Sequence, residues 1–367
     1  MWLTAHFVYS FLLYVGLTFS LLRNLATFVD SLFRIYNEPN RMSSLFIKST
    51  SELTKSSTKK TVQSLLDVLN NVILGKEPQI KLAIACLLAK GHLLIEDLPG
   101  MGKTTLSHAL AKALGLGYSR IQFTSDILPA DILGVSIFEK EASISGEQQG
   151  TFRFHPGPIF SQLVLADEIN RATPKAQSAL LEAMEEGQVT IEGETRQLPS
   201  PFFVIATQNP ISQSGTFPLP ESQLDRFLMR ISIGYPDAKS EMELLTGVDR
   251  RQLADQLKQV IELDELKALQ QKVEGVHASS TVLEYIQRII HFTRYEGGFS
   301  YGLSPRGGLG LLRAAKAWAL LHGREHLIPE DVQAVLSSVI DHRLADAAQQ
   351  GEHGVSSQIL QRIAVLS

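Results

Sequence analysis

Leu94-Ile95-Glu96-Asp97-Leu98-Pro99-Gly100-Met101-Gly102-Lys103-Thr104-Thr105 sets an apolar run ahead of a glycine loop, a lysine and two hydroxyls. This order constrains the fold strongly, because a buried strand must deliver the loop and a helix must leave it. Glycines let backbone N–H groups converge on an anion, and the following helix, expected over 106–114, adds the positive end of its dipole. Such a loop holds a nucleoside triphosphate by its phosphates. The expected cofactor-binding residues are therefore Asp97, Leu98, Pro99, Gly100, Met101, Gly102, Lys103, Thr104 and Thr105. Lys103 would reach the β- and γ-phosphates, and Thr104 would give its hydroxyl to Mg²⁺. One position departs from the G-x-x-x-x-G-K-[ST] pattern: Asp97 replaces the first glycine and is expected to bring a carboxylate near phosphate.

Downstream, Phe160-Ser161-Gln162-Leu163-Val164-Leu165-Ala166 reads as a buried strand that ends in Asp167-Glu168. A parallel strand delivers such residues to a ligand crevice. Asp167 is expected to hold Mg²⁺ through its water shell and Glu168 to polarise the attacking water, since phosphoryl transfer depends mainly on positioning and charge stabilisation. Together the two segments point to a hydrolase of a nucleoside triphosphate that uses Mg²⁺.

At 367 residues, 44% hydrophobic and 20% charged, the chain is long enough to bury a sizeable core and to divide into two domains. Strands are expected at 93–95, 118–123, 163–166 and 202–207, alternating with helices. From Pro236 onward helical spacing dominates, over 280–295, 305–322 closed by Gly323, and 329–343. The chain thus reads as an apolar segment 1–41, a polar linker 42–60, an α/β core 61–235 and a helical domain 236–367. A net charge of −4 argues against a nucleic-acid-binding surface, so no nucleic acid partner is expected. The single cysteine, Cys86, cannot form an internal disulfide and fits a reducing, cytoplasmic compartment. Residues 1–22 carry no Asp, Glu, Lys or Arg, and Arg23, Arg34, Arg41 and Lys48 follow them. Two readings stand: an anchor to the inner face of a membrane, or a start codon placed ahead of the true one at Met42. Membrane contact is expected only through residues 1–22.

The run Leu165-Ala166-Asp167-Glu168-Ile169-Asn170-Arg171-Ala172-Thr173-Pro174-Lys175, continued by Gln177 to Glu186, resembles the MoxR family of AAA+ ATPases. Phe203 to Pro210 is similar to that family's sensor-1 strand, Leu219 to Phe227 to its arginine-finger region, and Ser304-Pro305-Arg306 to its sensor-2 helix start. The resemblance covers about residues 60 to 345. It implies a P-loop AAA+ core, with a parallel sheet flanked by helices, and a C-terminal all-α lid domain. It also implies a ring homo-oligomer, expected to be a hexamer, and chaperone-like action on a protein client, a von Willebrand factor A-domain protein being one candidate. The implied catalytic set is Glu168, Asn209, Arg226 and Arg306. Asn209 would donate to the γ-phosphate or the lytic water, and Arg226 would serve a neighbour's γ-phosphate in trans, with Arg230 as its rival. Arg306, a cation at a helix N-terminus where the dipole disfavours it, would face ATP between core and lid and change the angle between them. Residues 129–157 resemble the helix-2 insert of the MoxR and chelatase branch, and 188–198 reads as a hairpin turning at Glu192-Gly193; in the family such hairpins face the ring channel or a client. Two other functions remain open at this level: a nucleotide-switch scaffold with little turnover, which Asp97 favours, and a chelatase-like motor subunit.

Overall fold

Five parallel strands lie side by side in the order β2-β5-β8-β1-β9: β1 (Leu93–Glu96), β2 (Tyr118–Gln122), β5 (Leu163–Asp167), β8 (Phe203–Gln208) and β9 (Met229–Ile231). The computed structural model describes residues 58–142, 148–209, 215–344 and 354–365; the expectations placed on 1–41 and most of 42–60 lie outside the described residues. Leu93, Ile95, Leu163, Leu165, Phe203 and Ile205 enter one apolar core, shared with helices Glu77–Leu88 and Lys103–Ala113 and with the C-terminal helices. Leu94, Val164, Ala166, Val204 and Ala206 enter a second core with helix Pro174–Glu186. Burial on both faces explains why β1, β5 and β8 read as largely apolar runs.

The register sets Glu96 beside Gln208 and Gln122 beside Asp167, so the carboxyl ends of four strands open onto one crevice. The fifth strand escaped the sequence reading. It is three residues long, too short to show a period, and it is defined by pairing with β1 at Leu93 opposite Met229.

Among the described residues, the named elements after β9 are all helices. The helix expected at 106–114 already begins at Lys103, because Gly102 (φ 85°) turns the chain into it. The helix expected over 280–295 ends at His291 and continues as a π-helical turn, Phe292–Glu296. Helix Pro305–Leu321 is capped by Ser304, whose Oγ accepts the Gly307 N–H at 2.9 Å, a contact worth about 1 kcal/mol. β3 (Gly134–Ala142) and β4 (Gln148–Pro156) pair as an antiparallel ribbon. β6 (Gln188–Ile191) and β7 (Glu194–Gln197) form the second hairpin, whose turn uses left-handed Glu192 and Gly193 (φ 53° and 83°), as a two-residue type I′ turn requires. The two hairpins touch through the Arg196 guanidinium, 4.0 Å over the Phe154 ring. Among the described residues no helix is long and apolar enough to cross a membrane.

His92 ties the sheet to its flanking helix. Its Nδ1 accepts the Val204 N–H at 3.1 Å and its Nε2 lies 3.1 Å from the Met184 carbonyl, an arrangement that needs the neutral ring. Burial is the main reason its pKa falls from 6.5 to about 4. The unfolded chain therefore takes up a proton that the folded one refuses. Stability should be complete above pH 6.5, decline by about 3 kcal/mol as pH falls toward 4, and level off below. Thermal unfolding across this window should show a shallower slope for His92→Gln than for the wild type; identical slopes would contradict the assignment.

Candidate functional site

The glycine loop leaves β1 with Gly100 and Gly102 both at φ 85°, and a Cβ built on either would meet nothing within 4 Å. Glycine is needed here for backbone conformation and for the approach of a ligand, not for packing. Lys103, 7% exposed, donates from Nζ to the Asp97 carbonyl at 2.6 Å and to Asn209 Oδ1 at 3.2 Å. Burial lowers its pKa, while the carboxylates of Asp97, Asp167, Glu168 and Glu96 oppose that fall. It is a desolvated cation held ready for an anion.

Asn209 Nδ2 in turn donates to Glu168 Oε1 at 3.1 Å, so one side-chain amide joins the lysine to the acidic pair. Glu168 itself stands in the left-handed region (φ 58°, ψ 47°), a conformation costing a non-glycine residue about 1–3 kcal/mol. Its N–H donates to Thr207 Oγ at 2.9 Å, and its Oε2 lies 3.1 Å from both Gln122 Nε2 and Arg171 Nε. Asp167 is engaged at both oxygens: Oδ1 accepts from Thr207 Oγ at 2.6 Å and Oδ2 from Arg120 Nη2 at 2.6 Å. Those contacts leave it suited to ordering water rather than to binding a cation directly.

Two adjoining cavities open here. One, of about 430 Å³, is lined by Pro99, Gly100, Gly102, Lys103, Thr104, Thr105, Asp167, Glu168 and Asn209, and by Leu244 and the segment Gly247–Arg251. The other, of about 150 Å³, is mostly apolar, with Val72, Ile73, Met101, Ile233 and Pro236 in its wall. Gly100, Gly102, Thr105, Leu244 and Arg250 line both. Arg250 donates from Nη1 to the Asn71 carbonyl at 3.1 Å, and its Nε is buried with no partner. Sequence reasoning missed Arg120, Thr207 and Arg250, because no motif marks them and only the fold brings them to the crevice.

Three placements differ from expectation. The Asp97 carboxylate turns away from the loop's centre: Oδ2 accepts from the Ile233 and Gly234 N–H groups at 2.7 and 2.6 Å and from Ser232 Oγ at 3.2 Å, while Oδ1 accepts the Leu98 N–H. Those four donors outweigh any approach to a like-charged phosphate. Arg306 does not line either cavity; its Nη2 meets Glu185 Oε1 at 2.7 Å, and Arg226 Nη2 meets Glu185 Oε2 at 3.1 Å. The anion that offsets the dipole at Arg306 is thus this carboxylate. Arg230 is paired with Glu96 at 2.8 Å across β9 and β1.

A glycine loop and an acidic strand end on a parallel sheet, followed by a helical half, define an AAA-type ATPase fold with its lid. The description "ATPase family associated with various cellular activities (AAA)" matches residues 92–229, and "AAA lid domain" matches residues 291–363. The chain is 45% identical over 294 residues to the uncharacterized protein YeaC of Bacillus subtilis, covering 80% of this chain and 90% of that one. It is 37% identical over 321 residues to chaperone MoxR1 of Mycobacterium tuberculosis, covering 83% and 82%. A crystal structure from Cytophaga hutchinsonii, described as a candidate ATPase, superposes with a TM-score of 0.76 at 34% identity, covering 86% of this chain and 98% of that one. The chain belongs to the MoxR family of AAA+ ATPases.

The role of Asp97 as an anchor rather than a phosphate neighbour is testable. Asp97→Gly, which restores the usual first glycine, should lower stability by about 2–4 kcal/mol because four donors lose their acceptor. Denaturant unfolding that shows the glycine variant as stable as the wild type would overturn this.

Proposed function

We propose that this chain binds Mg-ATP in the paired cavities and hydrolyses it within a homo-oligomeric ring, expected to be a hexamer, that remodels a protein client. The observation that carries the reading is the Asn209 amide between Lys103 and Glu168, which couples the phosphate-binding cation to the group that would activate water. Arg250 Nε, buried and unpartnered where the cavities join, and the open space over Gly100 and Gly102 also fit a bound nucleotide. The apolar lobe takes the base and the loop takes the phosphates. Mg²⁺ fits as a partner of those phosphates, with Thr104 as a ligand and Asp167 holding its water; it would neutralise charge that develops during transfer. Among the described residues no group of three or more His, Cys, Asp or Glu could hold a metal by itself.

Glu168, anchored from both carboxylate oxygens, orients and deprotonates the water, and Asn209 reports on the γ-phosphate. Arg226 and Arg306, gathered on Glu185, are offered together to the next subunit's γ-phosphate, where Arg226 acts as the finger. The β3–β4 ribbon suits client contact: Phe138 and Phe152 pack edge to face at 5.2 Å, yet are 50% and 75% exposed. A von Willebrand factor A-domain protein is one candidate client.

Glu168→Gln should bind ATP within about threefold of the wild type while its kcat falls by about 10² or more. Equal turnover in the two proteins, or no ATP binding by the wild type, would remove the hydrolase reading. The Glu168→Gln protein held with ATP should retain its client on purification, and Phe152→Ser added to it should release that client without altering ATP affinity. Retention unaffected by Phe152→Ser would place client contact elsewhere.

A further inference from the structure

Arg343, just beyond the end of helix Pro329–Ile340, is 5% exposed at its side chain, and most of its donors go to one short segment of the core. Nε donates to Asp225 Oδ1 at 2.7 Å; Nη2 donates to the Asp225 and Phe227 carbonyls at 3.2 and 2.7 Å; Nη1 donates to the Leu228 carbonyl at 3.1 Å and to Val339 of its own helix. Neighbouring His342, fully buried and kept neutral by that burial, sets Nε2 3.1 Å from the same Phe227 carbonyl. All the core partners fall within residues 225–228, which include Arg226. The second oxygen of Asp225 accepts from Ser304 Oγ at 3.1 Å, and Ser304 caps the helix that carries Arg306. Arg306 and Arg226 then meet on Glu185. Asp225, Arg226, Glu185, Arg306 and Ser304 thus close a ring of contacts between the core and the lid.

We infer that Asp225 and Arg343 are positioning residues that fasten the finger segment to the lid, so that Arg226 moves with the lid rather than with its own sheet. An ion pair that merely stabilised the domain interface could meet anywhere along it. Here a planar, five-donor group is spent on the backbone and the side chain immediately flanking one half-buried arginine, which fixes direction as well as distance. A lid displaced by nucleotide in one subunit therefore redirects the cation presented to the next. This rests on the reading of Arg226 as a finger acting in trans.

The test compares Asp225→Asn and Arg343→Lys with Arg226→Ala, each alone and each mixed with Glu168→Gln subunits, which keep a well-held finger but a silent site. Asp225→Asn and Arg343→Lys should bind ATP within about threefold of the wild type and lose about tenfold or more in kcat. Mixing with Glu168→Gln should restore hydrolysis to both, as it does to Arg226→Ala, because the intact sites of the variants then receive a finger from the partner. A purely structural role predicts lower thermal stability or failed assembly, with no recovery on mixing. Wild-type turnover in both variants, or losses that mixing does not repair, would overturn the clamp while Arg226→Ala still behaves as a finger. Wild-type turnover in Arg226→Ala would instead overturn the trans reading and the clamp with it.

Discussion

One amide governs the geometry of the crevice. Asn209 accepts from Lys103 and donates to Glu168, so the orientation of its side chain is dictated by the opposite charges on either side. That contact exists only because β1, β5 and β8 run parallel and in register, which brings three chain segments distant in sequence to one edge. Shift β8 by one residue and its alternate faces exchange: Val204 and Ala206 would leave their core and Asn209 would leave the crevice. The two apolar cores thus fix the position of a polar group.

Much of this arrangement was legible in the chain. Strands buried on both faces appear as apolar runs of the right length, and the glycines at 100 and 102 announce a left-handed loop whose conformation the structure displays. The hairpin turn at Glu192-Gly193 was readable from its glycine, whereas the positive φ of Glu192 was not. Other features needed three dimensions. β9 owes its existence to an edge of β1, which no local pattern encodes. Arg306 and Glu185 are separated by 121 positions, so their pairing could not be read from spacing, and the helix-dipole argument asked for an anion but assigned it to ATP instead of this carboxylate.

The charges show the same division. Motif reasoning picked out several residues that line the crevice, but not those that hold them or their neighbours: Arg120 on Asp167, Thr207 between Asp167 and Glu168, and Arg343 on Asp225. Such supports lie on other elements and have no fixed offset from the groups they steady. A buried arginine such as Arg343 is tolerable because nearly every donor finds an oxygen, and it makes one interface directional where apolar contact alone would let it slide.

The anchorage of Asp97 has a further consequence. By tethering the start of the loop to the backbone at 233 and 234, it shapes the cradle before any guest arrives. A floppy loop would surrender conformational freedom on each capture and regain it on each departure; a mould already set gives up little either way. Under the proposed hydrolytic cycle, which would release a diphosphate at every turn, a receptacle that neither collapses when empty nor clings through refolding lets the next nucleotide enter the same unaltered shape.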